Sequence, residues 1–294
     1  MTAEPATVAT PGTVGALLAA ARDRLAAAGI EEPQRDARLL LAAATGWSAG
    51  AIIAYPERTL TPAAEAAFAA MVARRASREP VSRILGRRSF WKHDFLLGPG
   101  ALDPRPDSEL LVEQALRRLP EDAEGVVVDL GVGSGCLLLS VLADRPRMRG
   151  VGVDISADAL AVAAANAAAL GLAGRCSLVR ADWTAPLRDH VADCVLANPP
   201  YISSTIISRL AEEVHRFDPM LALDGGKDGL EAYRRLVPAL PDVLKPGGVA
   251  VIEIGFDQGV SVAALLREAG LAVEPPCQDL GGRDRCVVAT AAAR

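Results

Sequence analysis

The stretch Val126-Val127-Val128-Asp129-Leu130-Gly131-Val132-Gly133-Ser134-Gly135 leaves few folds open to this chain. A short, almost wholly apolar run suits a strand buried on both faces, and such strands belong to parallel sheets covered by helices. The glycines that follow make a tight turn, and the apolar residues 136–143 read as the helix that leaves it. The pattern recurs: a strand over residues 150–154 precedes an Ala-rich helix over 157–170, which Gly171 stops. Further strands fall at 177–180, 191–197, 248–254, 271–273 and 286–289, with helices over 229–240 and 260–269. Seven strands alternating with helices predict a doubly wound, mostly parallel α/β sheet within residues 108–294.

The chain before that sheet reads differently. Residues 1–11 are small, polar and Pro-containing, as in a mobile tail. Val14, Leu17, Leu18, Ala21 and Leu25 then repeat at helical spacing, a second helix is expected over 36–44 and a third over 62–77 with Thr61 as its N-cap. Residues 1–83 therefore form a small all-helical domain without a Gly-rich loop or a cluster of catalytic residue types; it either docks a substrate or caps its neighbour. Residues 84–107 alternate β-like pieces with Gly and Pro and read as a β-hairpin linker, after which Ser108-Glu109 opens an amphipathic helix. Arg105 and Phe90 of the linker are candidates to line a cofactor pocket, although Phe90 and Trp91 equally suit the core of a domain junction.

With 31 basic and 36 acidic residues the net charge is −5, which argues against a chain dominated by phosphate-backbone binding. Five cysteines contain no C-x-x-C pair, so free thiols are expected and no metal site. No basic, apolar leader opens the sequence and no run reaches the length of a membrane span, so a cytoplasmic enzyme is expected.

A Gly-rich turn between strand and helix lets backbone approach a ligand without Cβ clashes, and the helix start offers unpaired N–H groups. Asp154 ends the next strand, where a carboxylate can accept the ribose hydroxyls of a nucleotide. The dinucleotide fingerprint needs glycine where this chain has Cys136, which disfavours NAD and leaves S-adenosylmethionine, a nucleoside without pyrophosphate, as the expected cofactor. Asp182 and Trp183 follow the third strand: the carboxylate can take an adenine amine, and the indole either packs on the base or fills core.

The run 192–197 ends in Asn198-Pro199-Pro200-Tyr201. Two prolines stop the strand and supply no N–H, so the Asn198 amide carbonyl and the Pro199 carbonyl can together hold both hydrogens of a planar –NH₂. Tyr201 is expected to pack on the flat face of that acceptor, a base or a carboxamide. Orientation of the nitrogen lone pair suffices without a strong base, and His93, His190 and His215 are read as surface or structural.

These motifs resemble class I methyltransferases that modify a planar amine. Pro104-Arg105-Pro106-Asp107-Ser108-Glu109, Asp182-Trp183, Phe217-Asp218-Pro219, Gly225-Gly226-Lys227-Asp228-Gly229, Gly281-Gly282-Arg283-Asp284-Arg285 and, in the helical domain, Asp36-Ala37-Arg38-Leu39-Leu40-Leu41 extend the resemblance over nearly the whole chain. Together they resemble the peptide chain release factor glutamine methyltransferase family. The resemblance implies methyl transfer to the N5 nitrogen of the glutamine in the Gly-Gly-Gln motif of a class 1 release factor. Asn198, Pro199, Pro200 and Tyr201 would bind that glutamine; Gly131, Val132, Gly133, Ser134, Gly135 and Asp154 would hold the cofactor's methionine and ribose, with Asn198 bordering it and Trp183 on the adenine side. The helical domain would contact the release factor, and a monomer is expected. Ser108 stands where the family often has Thr, Asp218 where it often has Glu, and Val132 where Thr is usual. A ribosomal-protein glutamine methyltransferase, an adenine-N6 nucleic-acid methyltransferase and a non-catalytic binding module are the alternatives; against the second, this chain has a net charge of −5 and no inserted basic recognition region of the kind a base-flipping enzyme usually carries.

Overall fold

A computed structural model describes residues 12–293, which fall into two compact units that divide between Gly86 and Arg87. The tail expected over residues 1–11 lies outside the described residues. The first unit holds α1 (Val14–Ala27), α2 (Pro33–Thr45), α3 (Ala49–Ala54), α4 (Pro62–Ala76) and α5 (Val81–Leu85). Side-chain caps start three of them: Thr13, Ser48 and Thr61 accept from the N–H groups of Ala16, Ala51 and Ala64, and Pro62 takes the first-turn position where no N–H is needed. Val14, Leu25, Leu40, Leu41, Ile52 and Phe68 fill the centre. The nearly buried Arg75 of α4 donates to Asp36 of α2 at 2.7 Å, a pair that satisfies both charges away from water.

The second unit opens with β1 (Arg87–Phe90) and β2 (His93–Leu96), an antiparallel hairpin. Within this hairpin, in the stretch expected from sequence to be a hairpin linker over residues 84–107, Phe90 and Phe95 sit in one core with Leu111, Val112 and Leu138. There follow α6 (Glu109–Arg118), β3 (Gly125–Leu130), α7 (Cys136–Asp144), β4 (Met148–Asp154), α8 (Ala157–Ala169), β5 (Cys176–Arg180) and β6 (Ala192–Ala197). The remainder is α9 (Glu212–Phe217), α10 (Met220–Leu223), α11 (Glu231–Leu236), α12 (Leu240–Val243), β7 (Leu244–Glu253), α13 (Gly259–Glu268), β8 (Ala272–Val273), β9 (Cys277–Gln278) and β10 (Asp284–Thr290). The expected helix over 229–240 is split into α11 and α12 by a 3-10 turn at Val237–Ala239, because Pro238 and Pro241 remove the N–H donors a continuous helix needs.

The sheet order is β5-β4-β3-β6-β7-β10-β8, with β9 paired to β10 as an eighth, two-residue strand. Strands β3 to β7 run parallel and β10 is antiparallel to β7. One face packs on α6 and α7, the other on Tyr233, Leu236, Leu240 and Val262 from the later helices. From β3 the chain builds outward through β4 and β5, then returns to lay β6 and β7 on β3's other side, a topological switch that opens a crevice at the strands' carboxyl ends. The register pairs Leu130 with Val153 and with Ala197, and Ala197 with Ile252. Gly131, Asp154, Asn198 and Glu253 thus leave four adjacent strands side by side.

Candidate active site

A cavity of about 630 Å³ occupies that crevice. Gly131, Gly133 and Gly135 all have positive φ, and the turn is anchored where the N–H groups of Gly131 and Val132 donate to the Val153 carbonyl. Gly131, Val132, Gly133 and Ser134 line the cavity, while Gly135 stands behind them as the N-cap of α7. Asp154 also lines it, with both carboxylate oxygens fixed: one accepts from the Gly133 N–H and the other from the Ser156 N–H, each at 2.9 Å. Each oxygen retains a lone pair for a ligand hydroxyl.

Asp182 and Trp183 both line the cavity. Asp182 pairs with Arg235, another lining residue, so its carboxylate already has a cationic partner. Trp183 lines the cavity and also packs on the sheet core. Arg105 lines the cavity and donates to Asp218 at 2.5 Å, and the other Asp218 oxygen accepts the Asp103 N–H. Phe90 does not line it: 1% exposed, it meets Phe95 edge-on in the core, because the hairpin folds inward on α6 rather than over the crevice. None of the three histidines lines the cavity.

Of the four residues after β6, Asn198 and Pro200 line the cavity. Pro199 is buried beside them. Tyr201, expected to lie flat on the acceptor, instead packs its ring on the sheet core and points its hydroxyl at Glu253, 3.3 Å away. Its carbonyl accepts from Gln258 Nε2 at 3.0 Å. Behind this segment, Gly225 and Gly229 approach the Pro200 and Tyr201 carbonyls so closely that a Cβ would stand 2.7 and 2.4 Å from the oxygens.

Glu253 escaped the sequence reading. It is 2% exposed and ends an apolar strand, and it accepts from the Ser108 hydroxyl at 2.5 Å as well as from Tyr201. Burial pushes its carboxyl up to about 7, against the opposing pull of those hydroxyls and of Arg285. Burial likewise raises Asp129, at the end of β3, to about 7. The available signal was a lone carboxylate in each apolar run. Ser108, part of the Pro104–Glu109 motif, also lines the cavity; Ile155, Met220 and Leu221 line it too, and no motif contains them.

Comparison with known proteins gives this geometry a family. The model described as the PrmC N-terminal domain matches residues 16–86, and that of the methyltransferase small domain matches residues 101–216. A release factor glutamine methyltransferase of Rhodospirillum rubrum is 48% identical over 276 residues, covering 94% of this chain and 84% of that protein. One from Caulobacter vibrioides is 47% identical over 269 residues, covering 92% and 93%. Likeness of this extent spans both units rather than the methyltransferase sheet alone, and the chain belongs to the release factor glutamine methyltransferase family.

Proposed function

We propose that this chain transfers a methyl group from S-adenosylmethionine to the N5 amide nitrogen of the glutamine in the Gly-Gly-Gln motif of a bacterial class 1 release factor. The observation that carries the reading is the emergence of Asn198-Pro199 beside the Gly131–Gly135 turn, from strands whose register is direct. Among the described residues no protein donor meets Asn198 Oδ1 or the Pro199 carbonyl, so two acceptors remain for the two hydrogens of a carboxamide –NH₂. Holding both hydrogens sets the nitrogen's orientation, which an amide with a delocalised lone pair needs.

The residues present fit the methyl donor. A cavity of about 630 Å³ has the size of a cofactor site, and its Gly turn admits close backbone approach. Asp154 has acceptor capacity for ribose hydroxyls, and Trp183 presents an apolar face suited to a base. When bound, S-adenosylmethionine supplies an electrophilic methyl group on sulfonium. The chain's own residues bind and align the acceptor, and the lining of Val132, Leu137, Met220 and Leu221 limits water around it. The helical first unit is assigned to docking the release factor, a reading supported by a cavity whose lining among the described residues comes from the second unit. The enzyme acts as a cytoplasmic monomer without binding nucleic acid, a reading that the net charge of −5 supports.

The test offers methyl-labelled S-adenosylmethionine and three acceptors side by side: release factor, ribosomal protein and DNA. Label is expected on the release factor glutamine. Label on the ribosomal protein or DNA with none on the release factor overturns the assignment.

A further inference from the structure

We infer that Glu253, acting through the hydroxyl of Ser108, decides which atom of the Asn198 amide faces the substrate, and that both are positioning residues of this site. The inference rests on the acceptor-binding role given to Asn198 above. Parallel pairing of β6 with β7 brings Asn198 and Glu253 out one step beyond the pair Ala197 and Ile252. Glu253 is 2% exposed, and a carboxylate so placed is costly unless donors meet it. Two hydroxyls do: Ser108 at 2.5 Å on one oxygen and Tyr201 at 3.3 Å on the other.

The consequence passes down the chain of bonds. Ser108 has one hydroxyl hydrogen, and giving it to the ionised Glu253 carboxylate, the form present above about pH 7, leaves Ser108 Oγ an acceptor only. Asn198 lies 3.3 Å from that oxygen and must therefore turn its –NH₂ toward it. The amide oxygen is then the atom left for the cavity, where it can accept from an incoming –NH₂. Without the carboxylate, the Ser108 hydroxyl is free to donate to Asn198 Oδ1. The amide then turns over and sets its own N–H groups against those of the substrate. Through Tyr201 the same carboxylate holds the far end of the four-residue segment, so one buried group fixes both ends of it.

The experiment is a double-mutant cycle on the full chain, using the acceptor that the wild type labels. Ser108→Ala and Glu253→Gln are each expected to lower kcat by about tenfold or more, with acceptor KM and donor Kd within about threefold. Ser108→Thr, which returns a hydroxyl, is expected to recover most of the turnover lost in Ser108→Ala. In the Asn198→Ala background, adding Ser108→Ala is expected to cost nothing further, because the group it positions is already gone. Equal losses in both backgrounds, or unchanged kcat in Ser108→Ala or in a folded Glu253→Gln, overturn the inference. Should Glu253→Gln unfold, the Ser108 and Asn198 pair decides alone. Which acceptor the wild type labels tests the functional proposal, and the cycle tests the positioning, so the two fail separately.

Discussion

Glu253 and Asp129 place carboxyl groups where nearly every neighbouring inward side chain is apolar, and burial lifts both to about 7. A folded value above the unfolded one means the native state holds the extra proton between roughly pH 4 and 7. The stability this contributes is complete below the unfolded pKa and is lost as the pH rises through about 7. Gln at position 253 carries no charge at any pH and escapes that loss. The difference in stability between Glu253→Gln and wild type is therefore expected to move in the variant's favour between pH 5 and pH 8.5, by up to ~3 kcal/mol. Thermal melts across that range check it, and a difference that stays flat or moves the other way contradicts the burial argument. Combined with reduced turnover, a gain in stability at alkaline pH would mark a residue retained for chemistry at the expense of the fold.

Between elements, the decisive contacts are carbonyl to glycine. The segment 225–229 lies against Pro200 and Tyr201, and Gly229 has φ +77 with no room for a Cβ before the Tyr201 oxygen. Gly229→Ala is expected to cost about 1–3 kcal/mol and to lower kcat, because the strained backbone and the Tyr201 carbonyl must both shift. A melt paired with a turnover assay checks it; unchanged values in both contradict the close approach. The sequence revealed β3, β4, β6 and the Gly turn because apolar runs bounded by glycine have few readings, and Asp154 and Asn198 followed from standing at strand ends. It did not reveal α3, α5, α9 and α10, which are too short to show a helical period. Ser108 and Glu253 lie 145 positions apart, and only the strand order and register bring them together. Phe90, open to pocket or core, lies in the core, and Tyr201 turns to the core as well; an aromatic near a crevice has the same local pattern whether it faces ligand or core.

At the scale of the whole molecule, the residues that line the cavity among those described lie between Gly100 and Arg235, in the second unit. A chain trimmed to residues 87–294 is expected to bind S-adenosylmethionine within a few-fold of the full protein while losing most methylation of intact release factor. Calorimetry and the labelling assay check the two halves, and full activity of the trimmed chain on release factor would remove the docking role from the helical unit. The lining is drawn from residues 100–108 ahead of α6, from the ends of β3, β4, β5 and β6 and from the segments after them, so no half of the sheet carries the cavity alone. A methyl donor bound as proposed recognises only the assembled unit, and at a hundredfold excess over its Kd it would make the unfolded population about a hundredfold rarer. Cellular proteases act on unfolded populations, so such binding would tie the enzyme's lifetime to the supply of its own cosubstrate.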